Sequence, residues 1–403
     1  MDEKQIIQTE SDLMPNVYAK RPTVLVEGKG ALVWDINGKE YIDCTSSYGV
    51  SLIGHSHPKV VKAIQAQAEK LISCHSSFYN DKRSELLQKL VQITPKGLDK
   101  VFLSNSGSES IECAIKLARK SMEKPEIIAV IGAYHGKTMG ALSATWNKKY
   151  RYPFKPLVPE FKHVQPDNLK AIKEAITDRT AGILVEPIRG EGGIRVPPDD
   201  FLPGLREICN SRNILLILDE VQTGFGRTGK NFACEHWNVT PDIMCIAKPI
   251  AGGLPIGATI AKENVMNSLK VGEHTSTFGG SPIVCAAACA AIDLFQEENF
   301  PRRAANLGAY FKAKLEELMS KHTILKEIRG LGLMIGAETR FEVRNILSKS
   351  MERGVLILNA GRNVLRFLPP FVIEKKHINT VIKVLDIVLE EEENERQLSS
   401  PSK

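Results

Sequence analysis

The chain has 403 residues, 43% hydrophobic and 25% charged, with a formal net charge of +6. That is ordinary for a globular protein, long enough for two domains and a sizeable core. The basic residues form no long run, finger spacing, RNP motif or basic helix, which argues against nucleic acid as a ligand. The mild positive balance is compatible with anionic substrates or an acidic partner protein.

The eight cysteines are scattered, with no C-x-x-C, and several stand in apolar runs as buried free thiols do. A reducing, cytoplasmic compartment is expected. The polar N-terminus lacks a signal-peptide pattern. The longest apolar run, residues 282–295, carries Asp293 and is too short for a bilayer, so it reads as a core helix and no membrane contact is expected. His55 and His57 stand two apart, but no further ligands gather nearby, so no metal is expected.

In chain order, residues 1–15 are polar and expected to be loosely held. Val33-Trp34-Asp35 and Tyr41-Ile42-Asp43 flank Asn37-Gly38, a two-residue hairpin signal. Residues 59–71 have helical spacing, with Val60, Ala63, Ile64, Gln67 and Ala68 in register. A short strand at 100–103 leads through Ser104-Asn-Ser-Gly-Ser-Glu109 into a helix with Ile111, Ala114, Ile115 and Ala118 on one face. Free N–H groups and the positive dipole end there could cradle a phosphate at Gly107 and Ser108. The same residues serve equally as a capped helix start.

Four further apolar runs follow. Residues 127–131 lead into Tyr134-His135-Gly136-Lys137, and 181–185 end at Glu186, five residues before Glu191. Residues 214–218 end on Asp219, and 243–247 end on Lys248. Continuous apolar runs suggest strands buried on both faces, and open parallel sheets bind ligands beyond the strands' carboxyl ends. An acid and an amine placed there could face one ligand. Pyridoxal 5'-phosphate needs both: its aldehyde condenses with a lysine, and its ring nitrogen takes an acid partner. Residues 224–229 also match G-x-G-x-x-G, but five residues separate them from the strand and no helix start follows, which weighs against a dinucleotide. Beyond 295, a helix over 304–319, a Gly-punctuated strand over 328–337, a strand over 363–370 and a helix from Glu374 read as a smaller α+β unit. The charged, Ser-rich tail, 390–403, is expected to fray.

DEVQTGFGRTG, the lysine at 248 and GGLPIGA together resemble the signature of the class III, omega-amino-acid aminotransferases. The pattern ending in His55-Ser-His57-Pro58 and the GEHTSTFGG stretch at 272–280 agree, and the resemblance spans about residues 15–390. It implies an α/β protein of the PLP-dependent transferase fold type I, with a large doubly wound domain on a mixed, mostly parallel sheet plus a small α+β domain. The implied division is 1–58 as an N-terminal segment contributing to the small domain, 59–296 as the cofactor domain and 297–403 as the C-terminal small domain. Lys248 is then the lysine that holds the cofactor and Asp219 the ring-nitrogen partner. Gly107, Ser108, Tyr134, Gln222 and Thr277 complete the implied cofactor set, with Tyr134 on the ring face and Thr277 reaching the phosphate of a neighbouring subunit. A homodimer, or a dimer of dimers, follows from that.

The implied substrate-binding residues are Tyr18, Tyr48, Lys137, Glu191, Ser276 and Arg366. The family usually has Arg where Lys137 stands, and Lys keeps the charge but loses the bidentate fork. The implied reaction passes a terminal amino group to 2-oxoglutarate in two half-reactions. LSATWNKKYRYPFKPL, EIRGLGLMIG and RFLPPF look most like acetylornithine and archaeal-type lysine/ornithine-pathway enzymes, in part of which the amine sits on an acidic carrier protein. Tyr18 and Tyr48 instead match ornithine delta-aminotransferase, and a 4-aminobutyrate enzyme is a third reading. A racemase or aminomutase, or a non-catalytic protein on the same scaffold, would also fit the fold.

Overall fold

Three sheets organise the computed structural model, which describes residues 1–399. First, β1 (Leu25–Lys29), β2 (Leu32–Asp35) and β3 (Glu40–Asp43) form an antiparallel meander. The Asn37-Gly38 turn joins β2 to β3 as expected. Gly38 takes φ +78°, and Asp35 Oδ1 accepts from the N–H groups of Asn37 and Lys39 at 3.0 and 2.9 Å.

The central sheet holds β4 (Lys100–Ser104), β5 (Glu126–Val130), β6 (Phe161–Val164), β7 (Thr180–Val185), β8 (Leu215–Asp219), β9 (Ile243–Ile246) and β10 (Gly257–Ala261). Their spatial order is β4-β10-β9-β8-β7-β5-β6, and β10 alone runs against its neighbours. Every residue of β5, β7, β8 and β9 is buried, which explains their unbroken apolar text. Alternate side chains feed two cores. Ile217 packs with Ile111 and Ala114 of the helix Gly107–Met122, while Leu216 and Leu218 join the core that includes Leu205 of Phe201–Arg212 and Ile292 of Pro282–Glu297. Helices thus cover both faces, and truncating a side chain such as Ile217 to Ala would cost about 2–5 kcal/mol. The helix expected over 59–71 is Pro58–Ala68; Val60 and Gln67 of its expected inner face are buried, Ala63 and Ile64 half-buried, and Ala68 is exposed.

After the helix Phe300–Lys321 come β11 (Leu325–Leu331), β12 (Met334–Thr339), β13 (Val355–Leu356), β14 (Leu358–Ala360) and β15 (Val364–Phe367). The third sheet runs β11-β12-β15-β14, while β13 pairs parallel with β3 and ties the two chain ends together.

Two expectations, the strand and the tail, are corrected, and a third, the N-terminal segment, gains detail. The single strand over 328–337 is two antiparallel strands that turn at Gly332, whose φ is +55°. A Cβ there would strike the backbone of Thr228, so glycine permits both the reversal and the close approach. Residues 1–15 contain the helix Glu3–Leu13, closed by a capping box between Asp2 and Gln5, although none of its residues is buried. The tail does not fray through 390–399: the helix Lys375–Ser399 continues, and Glu393 accepts from the Ile324 N–H at 2.8 Å and the Thr323 hydroxyl at 3.0 Å. Residues 400–403 lie outside the described residues.

The glycines of 224–229 serve packing. A Cβ on Gly226 would meet Phe295 at 2.8 Å, and one on Gly229 would meet Ala305 at 3.1 Å. Between them Arg227 is buried and donates from Nη1 to the carbonyls of Leu333 and Pro369 at 2.9 and 2.6 Å. All eight cysteines are free, and seven are buried. Among the described residues no helix is long and apolar enough to cross a membrane, and no group of three or more His, Cys, Asp or Glu side chains could hold a metal. His55 is engaged instead with Asp43, Nε2 to Oδ2 at 2.7 Å.

Candidate active site

Because β4, β5, β7, β8 and β9 share a direction, their carboxyl ends open on one edge. A cavity of about 370 Å³ lies there, lined among others by Gly107, Ser108, Tyr134, Glu191, Asp219, Gln222 and Lys248. Asp219 is the last residue of β8, and Lys248 follows β9 by two residues, on the neighbouring strand. Lys248 has φ +48°, a conformation that costs a non-glycine residue of order 1–3 kcal/mol and clusters at functional sites. Burial, aided by the charge of Arg366, lowers its ammonium below the usual lysine range. A larger share of neutral amine is therefore present at Lys248.

Asp219 is 5% exposed and held from two sides. Its Oδ2 meets His135 Nδ1 at 2.8 Å, and its Oδ1 accepts from the Val221 N–H at 3.0 Å. Gln222 Oε1 is buried with no partner, and a side chain on Gly190 would collide with it. At the cavity's other end, Ser106 caps the helix Gly107–Met122 by accepting from the Glu109 N–H at 3.2 Å. Ser106 thus supplies the cap, and Gly107 and Ser108 line the cavity. A Cβ on Gly107 would meet Val221 at 2.8 Å, so only glycine keeps that space open.

Tyr134 donates its N–H to Glu186 Oε1 at 2.8 Å and stands edge-on to Tyr150, centroids 6.1 Å apart at 82°. Burial and then the charge of Glu191 push its phenol up to about 12. Glu186 also accepts from the Gly190 N–H at 2.9 Å, so one carboxylate ties the Tyr134 loop to the Glu191 loop. Burial pushes Glu186 up to about 7.

At the outer wall Arg366, on β15 and fully buried, donates to Glu191 Oε1 at 2.6 Å. The Tyr48 ring lies 5.5 Å from its guanidinium, carried by three consecutive non-glycine residues at positive φ, Ser46, Ser47 and Tyr48. Lys137 is exposed, its Nζ 5.0 Å from the Tyr150 ring centroid. Ser276 lies at the rim, where its Oγ accepts from Asn105 Nδ2 at 3.2 Å. Thr277 is exposed and outside this cavity, and Tyr18, 64% exposed, does not line it either. His135 and Glu186 were given no role from the sequence. Each lies beyond the carboxyl end of a buried strand, as Asp219 and Lys248 do, and that position was the available signal.

Residues 14–389 match the family model for class III aminotransferases. The chain belongs to that family. It is 46% identical over 397 residues to the acetylornithine aminotransferase of Methanocaldococcus jannaschii, covering 97% of this chain and 99% of that protein. It is 44% identical to the [LysW]-aminoadipate semialdehyde transaminase of Deinococcus radiodurans over 93% of this chain and 87% of that one. The crystal structure of ornithine aminotransferase from Toxoplasma gondii superposes with a TM-score of 0.94 at 35% identity, covering 98% and 96%.

This aminotransferase is a pyridoxal-phosphate-dependent enzyme of the fold type I α/β class, and it takes an amino-group donor and a keto-acid acceptor. The cavity fits the cofactor. Its floor offers a buried carboxylate, its far end a helix N-terminus kept open by glycine, its outer side an aromatic ring, and its wall a buried amide oxygen still lacking a donor.

Proposed function

We propose that this aminotransferase moves the terminal amino group of an N-acylated ornithine- or lysine-type donor to 2-oxoglutarate, giving a semialdehyde and glutamate. The observation that carries this reading is the Glu191–Arg366 pair beside Lys248. Paired, Arg366 is neutralised and leaves room for an omega-ammonium; unpaired, it can grip an alpha-carboxylate. The names of the relatives in M. jannaschii and D. radiodurans support the donor class. Ornithine is the second reading, favoured by the Tyr48 ring over Arg366.

Bound pyridoxal phosphate supplies an aldehyde for amine exchange and a ring that takes up the electrons released on deprotonation. Lys248 would hold it and then move a proton between donor carbon and cofactor carbon, as base and as acid. Its lowered ammonium suits both roles. Asp219, oriented by His135, would keep the ring nitrogen protonated, and Gln222 would meet the ring oxygen. Gly107, Ser108 and the helix start would hold the phosphate, and Tyr134 would cover the ring and exclude water.

Thr277, exposed and not among the residues that line its own cavity, is assigned to the cofactor of a second copy, which makes the active unit a homodimer or a dimer of dimers. Ser276 at the rim is assigned to substrate, as are Tyr48, Lys137, Glu191 and Arg366. Tyr18 keeps such a role only if a second copy or a moving N-terminal segment brings it in. An acidic amino-group carrier protein suits the net charge of +6. The free, mostly buried thiols support a cytoplasmic location. The division at 58 and 296 is kept, with β13 on β3 supporting a small domain drawn from both chain ends.

The test is kcat/KM for N-acetylornithine, ornithine, 4-aminobutyrate and lysine with 2-oxoglutarate as acceptor. Preference for the acylated donor is expected; preference for free ornithine would make the second reading the better one.

A further inference from the structure

The stretch that lines the cavity's helix end is also tied to the loop that carries Thr277. Asn105 stands between β4 and the capping Ser106, half-buried in the cavity wall. Its Nδ2 donates to Glu109 Oε2 at 2.9 Å, and its N–H donates to the same oxygen at 3.0 Å, which fixes the first helical turn to the residue before the cap. Nδ2 also donates to Ser276 Oγ at 3.2 Å. Ser276 Oγ in turn accepts from the Gly279 N–H at 3.0 Å, which closes a turn around Thr277 and Phe278.

The base of the loop is pinned by the same two elements. Lys116, on the helix Gly107–Met122, donates from Nζ to the Glu273 carbonyl at 2.9 Å and meets His274 Nδ1 at 3.0 Å, and Lys120 pairs with Glu273 at 2.6 Å. The His274 ring lies 4.5 Å from that of Phe102 on β4. A Cβ on Gly279 would strike the Leu103 carbonyl oxygen at 2.2 Å, so glycine lets the loop lie against β4. The tip points outward, with Thr277 exposed. Arg83 joins a neighbouring loop to it, donating to the carbonyls of Gly280 and Phe78 at 3.0 and 2.9 Å. Phe78, Tyr79 and Phe278 are 70%, 104% and 66% exposed, and three bare rings on two joined loops are what a second copy would cover.

We propose that Asn105 is a positioning residue that couples the two cofactor sites of a homodimer. It ties the helix start that would receive one phosphate to the loop that would present Thr277 to the other. Filling one site fixes the segment around Asn105, and through Ser276 that holds Thr277 where the second site needs it. The second cofactor then binds more tightly than the first, and by linkage each site responds to the other. This rests on the reading of Thr277 as a residue of the neighbouring copy's site; it does not depend on which amine is the donor.

The test is equilibrium dialysis of the full-length enzyme against graded pyridoxamine 5'-phosphate, which cannot condense with Lys248. Occupancy is read by fluorescence, and sedimentation verifies the dimer. Coupling worth one hydrogen bond makes the second cofactor bind about fivefold tighter than the first, a Hill coefficient of about 1.4 for two sites. Asn105→Ala and Ser276→Ala should each bring the coefficient to unity, and the double variant should do no more than either alone. Ser276→Ala leaves the helix cap and the Glu109 contacts in place, so it carries the test where Asn105→Ala fails to fold. A variant that binds both cofactors more weakly but keeps the wild-type coefficient would show a merely local role and overturn the coupling. Thr277→Ala separates the underlying reading. Wild-type cofactor affinity in that variant would overturn the assignment of Thr277 to the neighbouring site; weakened affinity, beside a wild-type enzyme with a coefficient of unity, would overturn the coupling alone.

Discussion

Replacing Glu191 by Gln isolates the group proposed to make one site serve two substrates. Arg366 is fully buried, its Nη1 bonds Glu191 at 2.6 Å, and its Nε has no partner. Removing one member of a buried ion pair costs about 3–5 kcal/mol. The Glu191 side chain is 31% exposed, so water screens part of that, and roughly 2 kcal/mol is expected here. In rate terms that is about thirtyfold. The cost should fall on one half-reaction. An unneutralised Arg366 repels the ammonium of an omega-amine donor but attracts the alpha-carboxylate of glutamate. Single-turnover absorbance measurements separate the two. Glu191→Gln should slow the omega-amine half-reaction about thirtyfold and leave the glutamate half-reaction unchanged or faster. Equal slowing of both, or of neither, would refute the gating role of the pair.

Asp219→Asn removes the charge proposed to partner the ring nitrogen while keeping the shape; turnover should fall by about two orders of magnitude, and a variant within a factor of two of wild type would exclude Asp219 as the ring partner. Thr277→Ala should weaken cofactor retention about tenfold, measured by dialysis and fluorescence; unchanged retention would remove the second copy from the site. Glu186 gives a pH prediction. Its folded value of about 7 lies above the ordinary carboxylate value of 4.5, so the folded protein holds the proton longer than the unfolded chain. Its contribution is full below the unfolded value and is lost as pH rises through about 7, up to about 3 kcal/mol. Without added cofactor, the melting temperature of Glu186→Gln should therefore decline less between pH 5 and 8 than that of wild type; parallel curves would show that Glu186 does not titrate there.

The strands that carry Asp219 and Lys248 were legible because a strand buried on both faces must be written almost wholly in apolar residues. The residue that ends such a run stands at the carboxyl edge, where a ligand can reach it. The His135–Asp219 contact was not legible, since 84 residues separate the two and only the sheet order brings their loops together. The reversal at Gly332 was hidden because GLGL has the texture of a single strand; its glycine is demanded by the nearby Thr228 backbone, a contact of long sequence separation. The tail misled for the opposite reason. Its acidic side chains read as solvated, yet Glu393 finds His322, Thr323 and the Ile324 N–H waiting at the end of another helix. Tyr18, matched by motif alone, is left outside the cavity by the same fold that gathers the rest.

The most direct measurement is a spectral titration of the purified, pyridoxal-phosphate-loaded enzyme with N-acetylornithine and no keto acid, run beside Lys248→Ala. The wild type should lose its yellow absorbance stoichiometrically and regain it on addition of 2-oxoglutarate, and the variant should never develop that band or turn over. A wild type with no yellow band, or a Lys248→Ala protein that transaminates at the wild-type rate, would contradict the assignment of Lys248 as the group that holds the cofactor and moves the proton.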